Sequence, residues 1–312
     1  MTIGVIGCGY WGSNHIKSLA NLGLLSAVAD SDDTKAQAVA NLFNVRALSN
    51  EQMLEDKEIH GIVIATNAET HYEIAMQCIG AKKNLLVEKP IALSWKEAKK
   101  LCDLAREKQL VFMVGHLLNF HAAYQKVREL VLEGKIGRVR SIKARRLSMG
   151  QIRSKENVLW SFAPHDIALI LGLVDFLPKI TSAYGKKIIS AIEDEYFVTF
   201  ELSGNIKAEI NVSWFHPYKE HKFFVIGDKG SIVFDDGLSW ENKVTLYPHE
   251  ISTNLKIGEA ITFPVQEKYP LTEELLYFNN CIVNKIIPNI SNGEQGMNVI
   301  KIIEEIETYA KL

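Results

Sequence analysis

Three glycines stand directly behind the first apolar run of the chain. Residues 3–6 read Ile-Gly-Val-Ile, and Gly7, Gly9 and Gly12 follow with GxGxxG spacing at the start of a helical pattern. A strand, a tight turn and a helix in this order predict a site for the pyrophosphate of a dinucleotide. Gly7 permits the turn, Gly9 lets the backbone approach the phosphates, and Gly12 allows close helix–strand packing. The alternative is that the glycines serve only a turn.

Short apolar runs alternate with helical patterns up to about residue 115. The apolar runs are residues 3–6, 24–29, 61–65, 85–87 and 111–114. Apolar residues recur at helical spacing over residues 34–42, 70–79 and 94–108. This alternation indicates βαβ units and a parallel sheet with helices on both faces. We therefore predict an α/β fold that begins with a Rossmann-type, doubly wound domain over residues 1–118.

The pattern changes after about residue 120. Apolar and polar residues alternate over 196–202 and 206–214, which indicates half-buried antiparallel strands. Turn sequences lie at 203–205 and 227–230, and helical patterns lie at 164–174, 271–284 and 297–311. We predict an α+β domain with a large open, mostly antiparallel sheet over residues 119–312. The last helix can pack back on the first domain.

Composition narrows the class of partner. The formal net charge is -2 and like charges form no block, so neither nucleic acid nor a membrane surface is expected as a partner. The four cysteines show no CxxC pairing, no apolar run is as long as a membrane span, and the first strand begins at once. We therefore expect a cytoplasmic protein with reduced thiols and a small-molecule substrate.

Asp30 ends the second apolar run, about 20 residues beyond the glycines. A carboxylate there accepts hydrogen bonds from the adenosine ribose hydroxyls and repels a 2′-phosphate, which favours NAD over NADP. Lys35 lies close enough in sequence to keep NADP open, and Asp30 could instead begin a turn or cap the next helix. Tyr10 and Trp11 are candidate cofactor contacts, although an aromatic side chain at a domain junction more often belongs to the core.

Two further motifs follow the strands, and a third lies in the second half of the chain. They are Ala65-Thr66-Asn67 with His71, Glu88-Lys89-Pro90, and Ala163-Pro164-His165-Asp166-Ile167. Together with the glycine motif they resemble the Gfo/Idh/MocA family of glucose-fructose oxidoreductase and inositol dehydrogenase, over nearly the whole chain. The resemblance implies a Rossmann domain, an open-sheet domain and a substrate bound between them. It places five residues at the cofactor: Thr66, Asn67, His71, Glu88 and Lys89.

In this resemblance Lys89 corresponds to the lysine that contacts the reacting hydroxyl, and Lys89-Pro90 to a peptide bond that is often cis. From the residues alone, an ammonium at the carboxyl end of a parallel strand lies where ligands collect, and it can stabilise a developing alkoxide. The alternative is a surface lysine before a proline turn.

His165 resembles the general base of many family members, and imidazole suits the removal of a hydroxyl proton near neutral pH. We predict that Pro164 lies in the first turn of the following helix, whose positive end then favours the neutral ring. A structural histidine is the alternative. Members often carry an aspartate four residues earlier, where this chain has Ser161. Asp166 either orients or charge-balances the site, or is merely a first-turn acid, which we favour slightly.

Asn119 and His121 follow the last Rossmann strand and are candidate substrate contacts. No metal is expected, because histidines five residues apart, such as His116 and His121, do not share a helix face.

Residues 155–165 resemble members that oxidise nucleotide sugars such as UDP-N-acetylglucosamine. Arg145, Arg146 and Arg153 are candidate contacts for the diphosphate, or else solvated strand-edge residues.

The alternative activity is that of a free sugar or inositol dehydrogenase. A non-catalytic NAD-binding sensor module would need the glycines but neither Lys89 nor His165. We expect hydride transfer between NAD and a hydroxyl-bearing carbon of a sugar. We also expect a homo-oligomer, a dimer or tetramer, with the second face of the sheet as a plausible interface.

Overall fold

The computed structural model describes residues 1–150, 152–153, 156–174, 177–251 and 255–311, and the chain divides into two compact units. The first unit comprises Met1–Leu117 and Tyr269–Lys301, and the second comprises Leu118–Lys268 and Ile302–Leu312. Within the described ranges, none of the helices is both long enough and apolar enough to cross a membrane.

The first unit contains a six-stranded parallel sheet in the order β3-β2-β1-β4-β5-β6, all within described residues. Its first eleven elements are β1 (Thr2–Ile6), α1 (Tyr10–Asn21), β2 (Leu25–Ala29), α2 (Asp33–Phe43), β3 (Arg46–Ala47), α3 (Asn50–Glu55), β4 (Ile59–Ile64), α4 (Ala68–Gly80), β5 (Asn84–Val87), α5 (Trp95–Glu107) and β6 (Phe112–Val114). The central strands β1 and β4 are buried at all but one residue each, which is typical of a parallel sheet covered on both faces. The predicted Rossmann fold is confirmed. Strand order reverses between β1 and β4, and open α/β sheets bind ligands beside that point.

A later segment of the chain completes the first unit. It contains the helix labelled α8 (Pro270–Asn284) and the beginning of α9 (Gly293–Ala310). A Cβ on Gly61 in β4 would lie 2.7 Å from Ile282 Cδ1. Because Gly61 has no side chain, α8 can pack closely against the sheet at this position. Both predicted helices are present within a few residues. The predicted second domain spans residues 119–312, whereas Tyr269–Lys301 belong to the first compact unit.

The second unit contains a larger mixed sheet in the order β14-β13-β12-β11-β7-β10-β9-β8, with β15 paired to β13. Neighbouring strands run antiparallel, except that β7 and β10 are parallel. The elements are α6 (Ala122–Leu132), β7 (Val139–Met149), α7 (Val158–Leu171), β8 (Lys179–Lys186), β9 (Glu195–Leu202), β10 (Ile206–Ser213), β11 (Phe215–Gly227), β12 (Gly230–Asp235), β13 (Val244–Ile251), β14 (Leu255–Ile257) and β15 (Ile261–Thr262). The predicted mostly antiparallel sheet is confirmed.

Burial alternates along β9 and β10 as predicted. Val198 and Ile210 are buried on the face that contacts α7, whereas Phe197 is 45% exposed on the other face. The predicted turns are also present, with Gly204 in the left-handed conformation between β9 and β10, and residues 227–230 joining β11 to β12. The outer face of the sheet is therefore partly apolar and exposed within this unit.

Helix α7 begins earlier than the sequence analysis predicts. Asn157 caps it by accepting a hydrogen bond from the Trp160 N–H at 3.3 Å, and the apolar residues after Asn157 extend the helix toward its N-terminus. Pro164 therefore lies inside the helix and not in its first turn. The expected effect of the helix N-terminus on His165 is consequently wrong, because that effect is confined to the first turn.

Candidate functional site

The glycine motif connects β1 to α1. Gly7 has φ +101°, where an L side chain is strained, and a Cβ on Gly12 would overlap the carbonyl oxygen of Gly7. Protein contacts thus require both glycines. Gly9 differs, because a Cβ there would meet nothing within 4 Å. The open backbone at the N-terminus of α1 fits the approach of a phosphate to its amides.

Asp30 lies directly after β2 and faces this loop. Its Oδ2 accepts a hydrogen bond from the Cys8 N–H at 2.7 Å and lies 3.5 Å from Lys35 Nζ. Burial raises the pKa of Asp30, but the backbone donors and Lys35 outweigh it and hold that pKa below its ordinary value. Asp32 caps α2 by accepting from the Lys35 N–H, so the alternative of Asp30 as the cap is wrong. Asp30 therefore presents a charged carboxylate at the carboxyl edge of the sheet.

Tyr10 and Trp11 begin α1 beside the open glycine. Their side chains are exposed, Tyr10 at 83% and Trp11 at 39%, and the rings meet edge to face with centroids 6.0 Å apart. The alternative that Trp11 belongs to the core is wrong within this unit. Both remain candidate cofactor contacts.

The loop after β4 carries the next predicted residues. Asn67 takes the N-cap position of α4 without a side-chain capping bond, and the Thr70 hydroxyl donates to Thr66 Oγ1 at 2.7 Å. His71 is buried, with Nδ1 2.8 Å from the Pro90 carbonyl oxygen and Nε2 3.1 Å from the Thr66 carbonyl oxygen. The ring therefore ties this loop to the segment after β5.

Glu88 and Lys89 follow β5, and the Lys89-Pro90 peptide bond is cis. Glu88 is buried, with Oε1 2.8 Å from His15 Nε2 and Oε2 accepting from the Lys89 N–H at 3.1 Å. The Lys89 side chain is half-buried. Glu88 is thus held by protein donors, whereas Lys89 lies at the edge where ligands of such sheets bind.

His165 lies in α7, one turn after Ser161. Ser161 is buried and the His165 side chain is half-buried. The next residue, Asp166, is 2% exposed and accepts two hydrogen bonds from Arg146, at 3.0 Å from Nε and 2.9 Å from Nη2. Burial raises the pKa of Asp166, and the Arg146 charge and hydrogen bonds offset part of that rise. Asp166 is therefore not a first-turn acid: its pair with Arg146 fastens α7 to β7.

The two residues predicted as substrate contacts after β6 are both buried. His121 caps α6 by accepting from the Ala123 N–H at 3.1 Å, and its ring stacks on Trp240 with centroids 4.9 Å apart. Burial lowers the pKa of His121 to about 4. Asn119 is 2% exposed. The ring of His121 therefore packs in the core of the second unit, and both residues stay candidate substrate contacts.

The three arginines predicted to meet a diphosphate each face a carboxylate. Arg145 Nη1 lies 3.0 Å from Glu220, Arg146 holds Asp166, and Arg153 pairs with Glu156. Lys155, which begins the stretch that suggested a nucleotide sugar, lies outside the described residues. Because their charges are balanced within the protein, these arginines lend little support to a diphosphate ligand.

Sequence reasoning missed the buried polar partners of the site, namely His15 and Glu274. His15 lies on the buried face of α1, together with Gly12, Ile16 and Leu19. In the sequence, such a residue can be recognised as a polar side chain that falls at the helical spacing of the apolar residues. Glu274 occupies the same kind of position on α8.

A Rossmann sheet with an open glycine loop and a charged carboxylate after β2 defines a dinucleotide-binding domain, and Lys89 after β5 lies at the edge of the sheet where ligands bind. A family model described as "Oxidoreductase family, NAD-binding Rossmann fold" matches residues 1–116, and one described as "GFO/IDH/MocA C-terminal domain" matches residues 124–233. The chain belongs to the Gfo/Idh/MocA family of NAD-dependent oxidoreductases. Gly9, Asp30 and the exposed aromatic pair fit NAD and would hold it.

Individual relatives agree with this assignment. UDP-N-acetylglucosamine 3-dehydrogenase from Acidithiobacillus ferrooxidans is 31% identical over 196 residues, which cover 62% of this chain and 60% of that protein. The scyllo-inositol 2-dehydrogenase (NAD(+)) of Bacillus subtilis is 24% identical over 312 residues, covering 95% of this chain and 90% of that protein. The solved structure of the Acidithiobacillus enzyme covers 100% of this chain and 97% of its own, with a TM-score of 0.88 at 24% identity, and therefore shares the fold.

Proposed function

We propose that this oxidoreductase oxidises a hydroxyl group of a sugar, and that Lys89 and His165 act on the same hydroxyl. The observation that carries the proposal is the position of Lys89, directly after β5 in an NAD-binding sheet whose ligands collect at the carboxyl edge. NAD supplies the hydride acceptor when it is bound.

The two side chains take complementary roles in this proposal. The Lys89 ammonium holds the substrate oxygen and stabilises the negative charge that develops on it. The His165 imidazole accepts the hydroxyl proton, a task that suits a group titrating near neutral pH. The Arg146–Asp166 pair adjoins His165 in sequence and supports the proposal by holding α7 at a fixed place on β7.

The first candidate substrate is a nucleotide sugar, UDP-N-acetylglucosamine, oxidised at its 3-hydroxyl. Its support is the relative that bears this activity in its name, at 31% identity. The second candidate is a free sugar or an inositol. One observation favours it: Arg145, Arg146 and Arg153 are each paired with a carboxylate, so none brings an unbalanced charge to a diphosphate.

A substrate panel tests the proposal. Purified protein is mixed with NAD and, separately, with UDP-N-acetylglucosamine, N-acetylglucosamine and scyllo-inositol, and NADH formation is followed by absorbance. Thermal unfolding with NADH is recorded in parallel, because a ligand of the folded state raises the Tm. Turnover or a Tm rise with only one candidate assigns the class. NAD binding without turnover of any panel member would contradict the enzyme and favour a sensor module.

We also propose a homo-oligomer, a dimer or tetramer, built on the outer face of the large sheet. Tyr184 and Phe197 are cross-strand neighbours on this face and are 59% and 45% exposed. Exposed aromatic side chains of this kind favour association between copies. Sedimentation of the wild-type protein and of Phe197→Glu tests this, and a monomeric wild type would contradict it.

A further inference from the structure

Four ionisable side chains are buried around the start of the Glu88-Lys89 segment in the first unit. They are His15 on α1, Glu88 after β5, His116 after β6 and Glu274 on α8, none more than 5% exposed. Glu88 contacts His15 directly, and its charge reaches His116 and Glu274. Buried carboxyl groups are costly unless they are paired or protonated, so this cluster needs an explanation.

We propose that His15 is a positioning residue for Lys89 and acts through the carboxylate of Glu88. The inference rests on the role of Lys89 in the proposed function.

The geometry fixes Glu88 from three sides. His15 Nε2 lies 2.8 Å from Oε1, and the Lys89 N–H donates to Oε2 at 3.1 Å. A Cβ on Gly115 would lie 3.0 Å from Oε2 of Glu88, so the carboxylate packs closely against the main chain of Gly115. The Gly115 N–H in turn donates to the Val87 carbonyl at 2.8 Å. The Glu88 carboxylate therefore links α1 to the main chain of Lys89.

The surroundings of the two buried carboxyl groups in this cluster favour opposite protonation states. Burial raises the pKa of Glu88, but His15 and Lys89 outweigh it and hold that pKa below its ordinary value. Glu274 has no hydrogen-bond partner for either oxygen among the described residues. Burial, with the Glu88 charge added, raises the pKa of Glu274 well above its ordinary value, which favours its neutral, protonated form. Burial also lowers the pKa of His116 to about 4, so its ring adds no positive charge.

Removal of the Glu88 charge should therefore change how readily Lys89 loses its proton, because a nearby carboxylate favours the ammonium form. Competitive labelling with acetic anhydride at a series of pH values, read by mass spectrometry of the Lys89 peptide, gives the pH at which half of Lys89 reacts. The assay needs neither substrate nor cofactor. Four variants are compared with the wild type: Glu88→Gln, His15→Leu, His15→Gln and Glu274→Gln.

We expect the Lys89 midpoint to fall by about one pH unit or more in Glu88→Gln, and by a smaller step in His15→Leu. His15→Gln keeps a donor at the position of Nε2 and should restore the wild-type midpoint. Glu274→Gln, the matched control, removes no charge and should leave the midpoint unchanged. An unchanged midpoint in folded Glu88→Gln and His15→Leu would overturn the proposal, and so would an equal fall in Glu274→Gln.

Circular dichroism and thermal unfolding establish which variants fold. If Glu88→Gln does not fold, the His15→Leu and His15→Gln pair carries the test. Infrared difference spectra of the wild type against Glu274→Gln give a second measurement, since the wild type should show one additional protonated carboxyl band at pH 7. If the wild type showed an additional carboxylate band instead, Glu274 would be ionised, and Glu274→Gln would not be a control that leaves the charge unchanged.

Labelling also separates this inference from the proposed function. If the midpoints shift as expected and no sugar is oxidised, the proposed function fails while the His15–Glu88–Lys89 link stands. If sugars are oxidised and the midpoints do not move, only this inference fails. Once a substrate is known, Glu88→Gln and His15→Leu should lower kcat more than they raise KM, and His15→Gln should recover kcat.

Discussion

Four carboxylates, two in each unit, have different kinds of partners. In the first unit, Glu88 faces a histidine and Asp30 stays near the open glycine loop. In the second unit, Asp166 is locked in a two-point pair with an arginine, and Asp194 is surrounded by backbone and side-chain donors. An arginine or an amide donor does not titrate near neutral pH, whereas a histidine can. Asp166 and Asp194 therefore stabilise the fold of the second unit, whereas we propose that Glu88 and Asp30 serve the ligand site of the first.

The largest expected effect is on stability, through Arg146→Met. Arg146 and Asp166 are 12% and 2% exposed at their side chains, so the substitution leaves a buried carboxylate without its partner. We expect the free energy of unfolding to fall by about 3–5 kcal/mol, measured by urea unfolding. Arg145→Met is the matched control on the same strand. The Arg145 side chain is 47% exposed, and we expect a loss below about 1 kcal/mol.

The pH dependence of this loss follows from Asp166. Burial already raises its pKa, and without Arg146 the carboxyl takes up a proton more readily. The folded state then binds more protons than the unfolded state, so the stability of Arg146→Met relative to wild type should improve as the pH falls from 8 toward about 5. If Arg145→Met and Arg146→Met lowered the free energy of unfolding equally, the claim that the buried Asp166 depends on its arginine partner would be contradicted.

Asp194→Asn should give the next largest effect. The carboxylate accepts from the N–H groups of Ile188 and Ile189 at 2.7 and 2.8 Å and from Trp214 Nε1 at 2.6 Å. Burial opposes its charge, but these donors outweigh it and hold the pKa of Asp194 far below its ordinary value. We expect a loss of about 1.5–3 kcal/mol at pH 7. Because the folded pKa is depressed, this advantage of the wild type is complete above about pH 4 and shrinks at lower pH. A pH-independent difference in the unfolding free energies would contradict the assignment.

The smallest effect concerns the first unit. Asp30→Ala should leave the Tm nearly unchanged and narrow the preference for NAD over NADP by about tenfold, as calorimetric titration can measure. The reason is that Asp30 lies at the edge of the sheet, where it binds ribose hydroxyls and repels a phosphate. Lys35→Met tests the neighbouring cation, 3.5 Å from Asp30, and should not remove the preference for NAD. Equal affinities of the wild-type protein for both cofactors would contradict the role of Asp30.

Local patterns account for what the sequence could predict. The glycine spacing and the apolar runs identify the Rossmann unit because parallel strands are buried on both faces, and alternation identifies β9 and β10 because one face is exposed. The predicted start of α7 differs from the observed one because Pro164, a common first-turn residue, lies inside the helix, which Asn157 caps seven residues earlier. The Arg146–Asp166 and His15–Glu88 pairs join residues 20 and 73 positions apart, which no local pattern reveals.

Double substitution of Lys89 and His165 tests the central claim most directly. Lys89→Met and His165→Ala should each lower the oxidation rate by about a hundredfold, as loss of an oxyanion donor or a general base does. The double variant should be little slower than either single variant if both groups act on one hydroxyl, while NAD affinity stays near the wild-type value in all three. The wild-type rate should fall at low pH, because imidazolium cannot accept the hydroxyl proton, and this acid limb should vanish in His165→Ala. Multiplicative losses in the double variant, or near-normal turnover of His165→Ala with the acid limb intact, would contradict the account.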